Sequence, residues 1–395
     1  MPLRANSVDT SKIRGVNIGG WLVLEPWIRP SLFKQFEGLP AAEQAVDEWE
    51  LCAKLGRAEA KKLLIKHYDE WVTEADFKEL ASYGINLVRI PIGYWGVISL
   101  LDDEPYAGNG IQLSYLHKAV QWAKKHKMRV IVDLHGAPGS QNGFDNSGRR
   151  GNIAWHLKTN NVDRTLVAVK QLAREFQHDT DTVVMIQPLN EPAGWAIGQK
   201  FITSFYDDAY NVIKTEHQDY TVDLHTGFFE LSEWEQLKNQ HWNGAVLDTH
   251  IYHCFTPDVL KLSEDEHLKH AAEDGEKIAR SNGATMPTMV GEWSLAITDC
   301  TKWLNGFGRL ARYNGSYADP DAKPVVYGSC KGKSGQAADF TPEYKAFLAK
   351  FFAAQRDAYE NNGLGWIFWN FKAEQAGEWD YIAGVRNGWI PSKFD

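Results

Sequence analysis

Short runs of apolar, β-branched residues recur along this chain, and each is followed by a polar segment or by one with helical periodicity. Most of these runs are continuous rather than alternating, which is typical of parallel strands that are buried on both faces. We therefore predict eight buried strands, at residues 13–18, 86–92, 128–135, 182–191, 221–228, 245–252, 288–293 and 365–371.

The segments between these runs carry signals for the start and the end of helices. Thr73 and Asp76 have the spacing of a capping box, and Gly84 is placed to end the helix that they begin. A last long helix is predicted to open at Thr341-Pro342 and to close at Asn362-Gly363. Strand and helix therefore alternate along the chain.

Eight strand and helix repeats favour a closed barrel over an open doubly wound sheet, which typically has fewer strands. A length of 395 residues alone leaves the number of domains open, because a barrel with insertions fills this length as well as two or three average domains do. Since no linker is evident, we expect one α/β domain over 1–395, a (β/α)₈ TIM barrel. Segments 20–72 and 294–340 are longer than normal connections and are expected to be ordered loops on its C-terminal face.

Composition excludes several classes of partner. The net charge is −9 and no stripe of Lys and Arg appears, so nucleic acid is not expected to bind. No apolar run approaches the roughly 20 residues that span a bilayer, so no membrane association is expected. The 16 Trp, 18 Phe and 15 Tyr exceed what a core of this size needs, and flat aromatic faces serve as platforms for sugar rings.

The cysteines and the start of the chain bear on metal binding and on location. No pair of the four cysteines has zinc-ligand spacing, so we expect no metal and no cofactor. Because the first residues lack the apolar core of a signal peptide, the chain is either cytosolic or a secreted protein without its leader. The aromatic content and the one glycosylation sequon, at Asn314, favour secretion.

Polar and ionisable residues stand at the ends of the predicted strands, where a barrel of this kind has its active site. They are Asn17, Arg89, His135, Asn190, Glu191, His250, Tyr252, Glu292 and Trp369. Glu191 and Glu292 follow different apolar strands, and two carboxyls facing each other are what glycoside hydrolysis requires. For either glutamate alone, a structural ion pair with Arg89 is the alternative.

The residues around these glutamates resemble those of a known family. Asn190-Glu191-Pro192 and the strand-end Glu292 look like glycoside hydrolase family 5, a family of retaining (β/α)₈ enzymes. Three longer strings, RGVNIGGWLVLEPWIRPSLF, DLHGAPGSQNGFDNSG and GEWSLAITDCTKWLNG, are similar to its fungal exo-β-1,3-glucanase branch. The resemblance covers nearly the whole chain.

The resemblance implies that Glu191 is the acid/base and Glu292 the nucleophile. A nucleophile needs a low pKa, which Arg89, His250 and Tyr252 are expected to maintain, while the acid needs a higher one. His250 and Tyr252 are two residues apart and share a strand face, and His253 should point the other way.

Further site residues follow from the same resemblance. Asn190 binds the sugar 2-hydroxyl, and His135 supports the site; adjacent Asn190 and Glu191 can both face it only if the strand bulges or twists there. The residues implied to contact the terminal glucose are Glu25, Asp145 and Asn146 at its hydroxyls and Trp369 as its stacking floor. Phe144 and Phe255 resemble aromatics that grip the next sugar at the entrance.

The cysteines match the family in part. Cys300 and Cys330 occupy positions that the resemblance pairs as a disulfide. A second bridge between Cys52 and Cys254 has no support in the sequence and is left open.

The expected function is that of an exo-acting retaining β-1,3-glucan glucohydrolase, which releases glucose from chain ends by double displacement. We expect a secreted or cell-wall monomer whose partner is β-glucan. Enzymes of the same clan that hydrolyse β-1,4-glucan, β-1,6-glucan or glucosyl conjugates are the nearest alternatives, since linkage specificity lies in the loops. A non-catalytic sugar-binding barrel is a further alternative, but it would be expected to have lost one of the two glutamates.

Overall fold

A computed structural model describes residues 12–108, 110–237, 241–317 and 323–394, with the backbone alone described for Leu237. Within these residues eight parallel strands close into a barrel in sequence order, because β1 pairs with both β2 and β8. The strands are β1 (Ile13–Asn17), β2 (Leu87–Gly93), β3 (Arg129–Gly136), β4 (Val183–Gln187), β5 (Thr221–His225), β6 (Ala245–Ile251), β7 (Thr288–Trp293) and β8 (Gly365–Phe368).

Helices follow or flank the strands on the outside of this barrel. They are α1 (Pro30–Phe33), α2 (Glu48–Trp71), α3 (Glu74–Ser82), α4 (Ile111–Lys125), α5 (Thr159–Glu175), α6 (Gly194–Ile197), α7 (Gln199–Glu216), α8 (Pro257–Leu260), α9 (Glu264–Ala284), α10 (Pro342–Asn362) and α11 (Tyr381–Arg386). The predicted capping box is present, since Thr73 and Asp76 exchange hydrogen bonds at the start of α3. The predicted (β/α)₈ barrel and its eight strands are confirmed.

The predicted ends of three strands are wrong. β4 stops at Gln187, four residues before its predicted end, and β5 and β8 stop at His225 and Phe368, each three residues before theirs. The apolar character of the sequence continues beyond these points because the turns that follow are also buried; Leu189 and Phe371, for example, have no exposed surface. The site residues after β4 and β8 therefore belong to turns, whose backbone can aim consecutive side chains at one point.

The interior of the barrel changes character along its axis. Toward the N-terminal ends of the strands it is filled by an apolar layer: Ile13, Leu87, Ile131, Met185, Val246, Met289 and Ile367. Toward the C-terminal ends the buried side chains are polar or charged, among them Asn17, Arg89, Asp133, Gln187, Asp223 and Asp248. Because buried charges need partners, this upper layer must be an interconnected network, and it forms the base of the site.

The two long insertions differ from each other. Residues 20–72 were predicted to be a loop, but nearly half of the segment is α2. This helix follows the N-cap Asp47 and is interrupted at the non-helical Gly56. In the other segment, the described residues 294–317 and 323–340 are mostly irregular, and the predicted disulfide between Cys300 and Cys330 joins them. Within the residues described, no helix is both long and apolar enough to cross a membrane.

Candidate active site

Glu292 lies in β7 at the C-terminal end of the barrel and is only 4% exposed. Arg89 donates a hydrogen bond to its Oε1 at 2.8 Å, and the Tyr252 hydroxyl donates to its Oε2 at 2.7 Å. Both oxygens are thus held in place by donors from other strands or their ends. The sequence prediction that Arg89 and Tyr252 support this carboxyl agrees with these contacts.

Glu191 reaches the same rim from the turn after β4 rather than from the strand. Its backbone has a positive φ of 45°, which lets it and the preceding Asn190 both face the barrel axis. Its Oε1 lies 2.7 Å from His250 Nδ1, and its Oε2 accepts a hydrogen bond from Asn146 at 3.3 Å. The expected local distortion is therefore present, but as a left-handed residue beyond the strand instead of a bulge within it.

His250 connects the two glutamates. Its Nδ1 lies 2.7 Å from Glu191 Oε1 and 3.4 Å from Glu292 Oε2, so these two oxygens are separated by no more than the sum of the distances, 6.1 Å. The register of β6 and β7 places His250 directly beside Glu292. A single imidazole can therefore influence the charge of both carboxyls.

The pKa shifts of Glu191 and Glu292 run opposite to the expectation of a low pKa for Glu292 and a higher one for Glu191. Burial raises the pKa of Glu292, with Glu191 adding to the effect and His250 and Arg89 opposing it. Burial also acts to raise the pKa of Glu191, but the hydrogen bond and charge of His250 outweigh it, so the pKa is lowered. His250 acts on Glu191 through a hydrogen bond as well as its charge, whereas at Glu292 its charge alone does not outweigh burial.

His250 carries the positive charge that sets this order. Burial acts to lower its pKa, but Glu292, Asp248 and Glu191 outweigh burial and raise it to about 10. In the free site the imidazole is therefore protonated, and its proton lies in the hydrogen bond to Glu191.

Arg89 is the fully buried centre of the network beneath the glutamates. Besides Glu292 it donates to Asn17 Oδ1 at 2.9 Å and to Asn190 Oδ1 at 2.7 Å, and it lies 3.1 Å from Asp133 Oδ2. The hydrogen bond from Arg89 fixes the orientation of the Asn190 amide. In this orientation the Nδ2 group is buried and has no hydrogen-bond partner. A buried donor without a partner points to a ligand acceptor, which fits the predicted contact to a sugar hydroxyl.

Asp248 is a site residue that sequence reasoning missed. Its Oδ1 accepts the backbone N–H of Gly291 at 2.7 Å, and its Oδ2 lies 3.3 Å from His250 Nε2. It therefore contacts both the residue before Glu292 and the imidazole beside Glu191. A Cβ at Gly291 would lie 2.1 Å from Asp248 Oδ1, so only glycine fits there. Asp248 and His250 are two residues apart in an otherwise apolar strand and so share one face, and this pattern could have identified Asp248 as a site residue.

His225, at the end of β5, is a second residue that sequence reasoning missed. Its ring packs against His250 with centroids 4.3 Å apart. Glu191, His225 and His250 bring three potential metal-ligating atoms within 4.8 Å of one another. Burial, with the charge of His250 adding to it, lowers the pKa of His225 well below its usual value.

His135 and Trp369 form one wall of the site. Their rings are stacked with centroids 5.6 Å apart and an interplanar angle of 9°. His135 Nδ1 lies 2.6 Å from Asp133 Oδ2, whereas its buried Nε2 has no hydrogen-bond partner. Trp369 lies one residue beyond β8, and a Cβ at Gly19 would lie only 2.8 Å from its ring. The arrangement leaves one imidazole nitrogen for a ligand beside an aromatic face.

The loops after β1 and β3 bring further carboxyl groups to the glutamates. Burial raises the pKa of Glu25 well above its usual value, and the nearby charges of Asp145 and Glu292 raise it further. Its Oε2 accepts a hydrogen bond from Trp27 at 2.9 Å. Burial raises the pKa of Asp145 to about 6 against the opposing charge of Arg150, and its buried Oδ2 has no partner. The carboxyl groups of Glu25 and Asp145, and Asn146, which donates to Glu191, suit a ligand with several hydroxyl groups.

The aromatic residues at the entrance form two separate groups. Phe144 packs against Trp195 and Phe228, with ring centroids 6.1 and 6.4 Å away, and all three are exposed. Phe255 instead packs against Tyr252, with ring centroids 5.4 Å apart. Phe144 and Phe255 are not in ring contact with each other, so any sugar they grip would lie between the two groups.

The cysteines near this face are now assigned. The predicted disulfide between Cys300 and Cys330 is confirmed. Cys52 and Cys254 are free, buried thiols, so the open question of a second bridge is answered in the negative.

Comparison with known proteins finds a family model and relatives that match most of this chain. The model of the family described as cellulase, glycosyl hydrolase family 5, matches residues 57–375, which include both glutamates. A glucan 1,3-beta-glucosidase from Blumeria graminis is 43% identical over 98% of this chain and 88% of its own length. A protein of the same name from Kluyveromyces lactis is 41% identical over 97% of this chain and 89% of its own length.

Solved structures share the fold. Rutinosidase from Aspergillus niger aligns with a TM-score of 0.74 at 21% identity, over 98% of this chain and 100% of that one. A structure described as an endoglucanase aligns with a TM-score of 0.54 at 15% identity, over 96% of this chain and 97% of that one. At such identities the likeness concerns the barrel alone.

Proposed function

The chain belongs to glycosyl hydrolase family 5, and on this basis we propose that it is an exo-acting glucan 1,3-β-glucosidase that works with retention. The observation that carries the proposal is the pair Glu191 and Glu292, bridged by His250. Glu191 Oε1 and Glu292 Oε2 lie no more than 6.1 Å apart, the sum of their distances to His250 Nδ1. Retaining enzymes place their carboxyls about 5–5.5 Å apart and inverting enzymes about 6.5–9.5 Å apart.

In the first step Glu292 attacks the anomeric carbon of the terminal glucose while Glu191 gives its proton to the glycosidic oxygen. The glycosidic bond breaks, the shortened glucan leaves, and glucose stays bound to Glu292 as an ester. Glu191, now ionised, takes a proton from water, which attacks the same carbon and releases β-glucose and the Glu292 carboxylate. Both glutamates return to their starting state.

The proton of Glu191 needs a source, because His250 lowers the pKa of Glu191 in the free site. The 2.7 Å hydrogen bond between them can hold that proton on either partner. Substrate in the site excludes water and disfavours separated charges, so we infer that binding moves the proton toward Glu191. Arg89 and Tyr252 then hold Glu292 as the carboxylate through both oxygens.

The unpartnered polar atoms of the site support a single bound glucose. Asn190 Nδ2 would donate to the 2-hydroxyl, and His135 Nε2 and Asp145 Oδ2 would contact other hydroxyls beside Trp369. Glu25 and Asp145, on two loops, approach each other and would close the site beyond the terminal sugar. We infer that this closure is what makes the cleavage exo-acting.

The proposal extends to organisation and location. We propose one catalytic domain over the whole chain, acting as a monomer, since every residue of the site comes from one chain. A secreted or cell-wall location is supported by the disulfide between Cys300 and Cys330, because disulfides persist in oxidising compartments.

The test is incubation with laminarin, carboxymethylcellulose and pustulan, which present β-1,3, β-1,4 and β-1,6 linkages. Glucose as the sole early product from laminarin is expected, with much slower release from the other two. Laminari-oligosaccharides as early products would contradict exo cleavage, and no product from laminarin would contradict the linkage. Glu292→Gln, which keeps the shape of the side chain, serves as the inactive control.

A further inference from the structure

A second cluster of imidazole and carboxylate groups lies away from the active site, between the end of β6 and α9. His253 Nε2 lies 3.1 Å from Asp274 Oδ2, and His270 Nδ1 lies 3.4 Å from the same oxygen. One ligand atom from each of the three residues lies within 4.8 Å of the other two. As predicted from strand alternation, His253 points away from the glutamates, and the proposed reaction does not use this cluster.

Two of the three ligand-atom distances in this cluster are close to those of a tetrahedral metal site. Bonds of about 2.0–2.2 Å to zinc place neighbouring ligand atoms of a tetrahedron roughly 3.3–3.6 Å apart. The observed separations of 3.1 and 3.4 Å are close to this edge length. His270 and Asp274 are four residues apart on α9, so both face His253 from one side of the helix. An ion could therefore enter with small movements of side chains.

The surroundings of the cluster favour a bound cation. His253 Nδ1 lies 3.3 Å from Nδ1 of the buried His267, which orients the ring of His253 in the manner of an outer-shell partner. The buried Nδ1 of His270 has no hydrogen bond within the described residues. Both imidazoles approach the same carboxylate oxygen, Asp274 Oδ2. Lys277 is 3.7 Å away from the other oxygen, Oδ1.

The cluster is also accessible. The side chain of His270 is 32% exposed, whereas those of His253 and Asp274 are 1% and 6% exposed. An ion can therefore arrive from solvent past His270, and a water molecule can complete its coordination on that side.

We propose that His253, His270 and Asp274 form a binding site for a divalent first-row transition metal, with Zn²⁺ as the fitting ion. Two imidazoles and one carboxylate are a ligand set that zinc accepts, with an open fourth position. His253 is adjacent to Tyr252, which donates to Glu292. The bound ion would link the residues after β6 to α9. It would thereby keep the Tyr252 hydroxyl in position to donate to Glu292.

The experiment uses Co²⁺ as a probe, because tetrahedral Co²⁺ absorbs visible light strongly. The full chain is freed of metal with a chelator and titrated at pH 7.5, and thermal unfolding is followed in parallel with and without Zn²⁺. The wild type should bind one Co²⁺ with a tetrahedral spectrum, and Zn²⁺ should raise its unfolding midpoint. His270→Ala should weaken Co²⁺ binding by more than the roughly 10- to 100-fold that loss of an outer-shell partner costs.

Two further variants make the result decisive. Asp274→Asn keeps the shape of the side chain and should also lose the tetrahedral spectrum, while His178→Ala, an exposed histidine elsewhere, should behave as the wild type. Unfolding midpoints in chelator verify that each variant folds. Equal Co²⁺ binding by the wild type and His270→Ala, or no tetrahedral spectrum in the wild type, would overturn the proposal. Neither result depends on the hydrolysis of glucan.

Discussion

His250 Nδ1 lies 2.7 Å from Glu191 Oε1, which is 0.7 Å closer than its 3.4 Å distance from Glu292 Oε2. The imidazolium lowers the pKa of Glu191 through a hydrogen bond and its charge, whereas at Glu292 burial outweighs the same charge and raises the pKa. The free site consequently has its proton between His250 and Glu191, on the side where the leaving group must be protonated.

The pH profile should report this arrangement. We predict a bell-shaped kcat/KM profile on the acid side of neutrality, because the reaction needs one carboxylate ionised and the other protonated. In the enzyme without substrate, whose pKa values a kcat/KM profile reports, His250 stays protonated across this range, since its pKa is raised to about 10. A profile that is flat between pH 4 and 8 would contradict the assignment.

His250→Gln should move this profile toward higher pH. The cation lowers the pKa of Glu191, so its removal raises the pKa at which the acid loses its proton, and the basic limb shifts upward with it. An opposite charge at this distance is worth roughly 1–3 pH units. The pH dependence of kcat/KM measures the shift, and His117→Gln, on the surface beside Glu175, should leave the profile unchanged. A basic limb that stays or moves downward in H250Q would show that His250 is not the charge that sets it.

Gly291→Ala should disable the site without contacting substrate. The new Cβ would collide with Asp248, so the backbone before Glu292 must shift, and a misplacement of about 1 Å can cost roughly 100-fold in rate. We expect kcat to fall while KM changes little. Gly283→Ala, where the Cβ meets open space at the end of α9, is the matched control and should keep full activity. Full activity in G291A would refute the positioning role of Asp248.

Phe144→Ala and Phe255→Ala should raise KM for laminari-oligosaccharides several-fold with a smaller effect on kcat. Loss of an aromatic platform removes roughly 0.5–1.5 kcal/mol of ring contact with the sugar after the scissile bond. Phe201→Ala tests the effect of removing a phenylalanine of matched exposure, since Phe201 is 37% and Phe144 is 39% exposed. An unchanged KM in both entrance variants would remove these residues from the substrate site.

Glu378→Gln should change how stability depends on pH. Burial raises the pKa of Glu378 to about 8, although Thr301 donates to its Oε1 at 2.7 Å. A raised folded pKa favours folding below the unfolded value, and this contribution is lost as pH rises toward 8, by up to about 1.4 kcal/mol per pH unit. Denaturant unfolding should therefore show the free energy of unfolding of E378Q rising relative to that of the wild type between pH 5 and 8. The exposed variant Glu276→Gln should show a difference that is independent of pH, and the same behaviour in E378Q would contradict the prediction.

The strands of the barrel could be predicted because each is buried on both faces and reads as an apolar run. The proposed catalytic pair, Glu191 and Glu292, was predicted from its position at the ends of two such runs. Helix α2 was missed since Gly56 interrupts its pattern, and β4 was drawn too long because the buried Leu189 prolongs the apolar run. Asp248 was missed because it lies within a strand rather than at its end. Its positioning role depends on its contact with Gly291 of the neighbouring strand β7.

The order of the pKa values could not be predicted from the sequence. It depends on the burial of both carboxyls and on the hydrogen bond between His250 and Glu191, which residue types do not encode. The cluster of His253, His270 and Asp274 was missed for a similar reason, because its members are 17 and 4 residues apart and form no short ligand motif.

Separate roles for Glu191 and Glu292 can be tested by chemical rescue. Glu191→Ala should lower kcat by roughly 10²–10⁴-fold, and azide should restore turnover and yield β-glucosyl azide, since the intermediate on Glu292 still forms. Glu292→Ala with azide should give the α-product, because azide replaces the nucleophile. Products of the opposite configuration would exchange the two roles.

Proton NMR of the first anomer released from laminarin tests the central claim most directly. Double displacement through Glu292 predicts that β-glucose appears first and that the α-anomer grows only as mutarotation proceeds. Initial release of α-glucose would contradict a covalent intermediate and require Glu191 and Glu292 to act on opposite faces of the sugar with water between them.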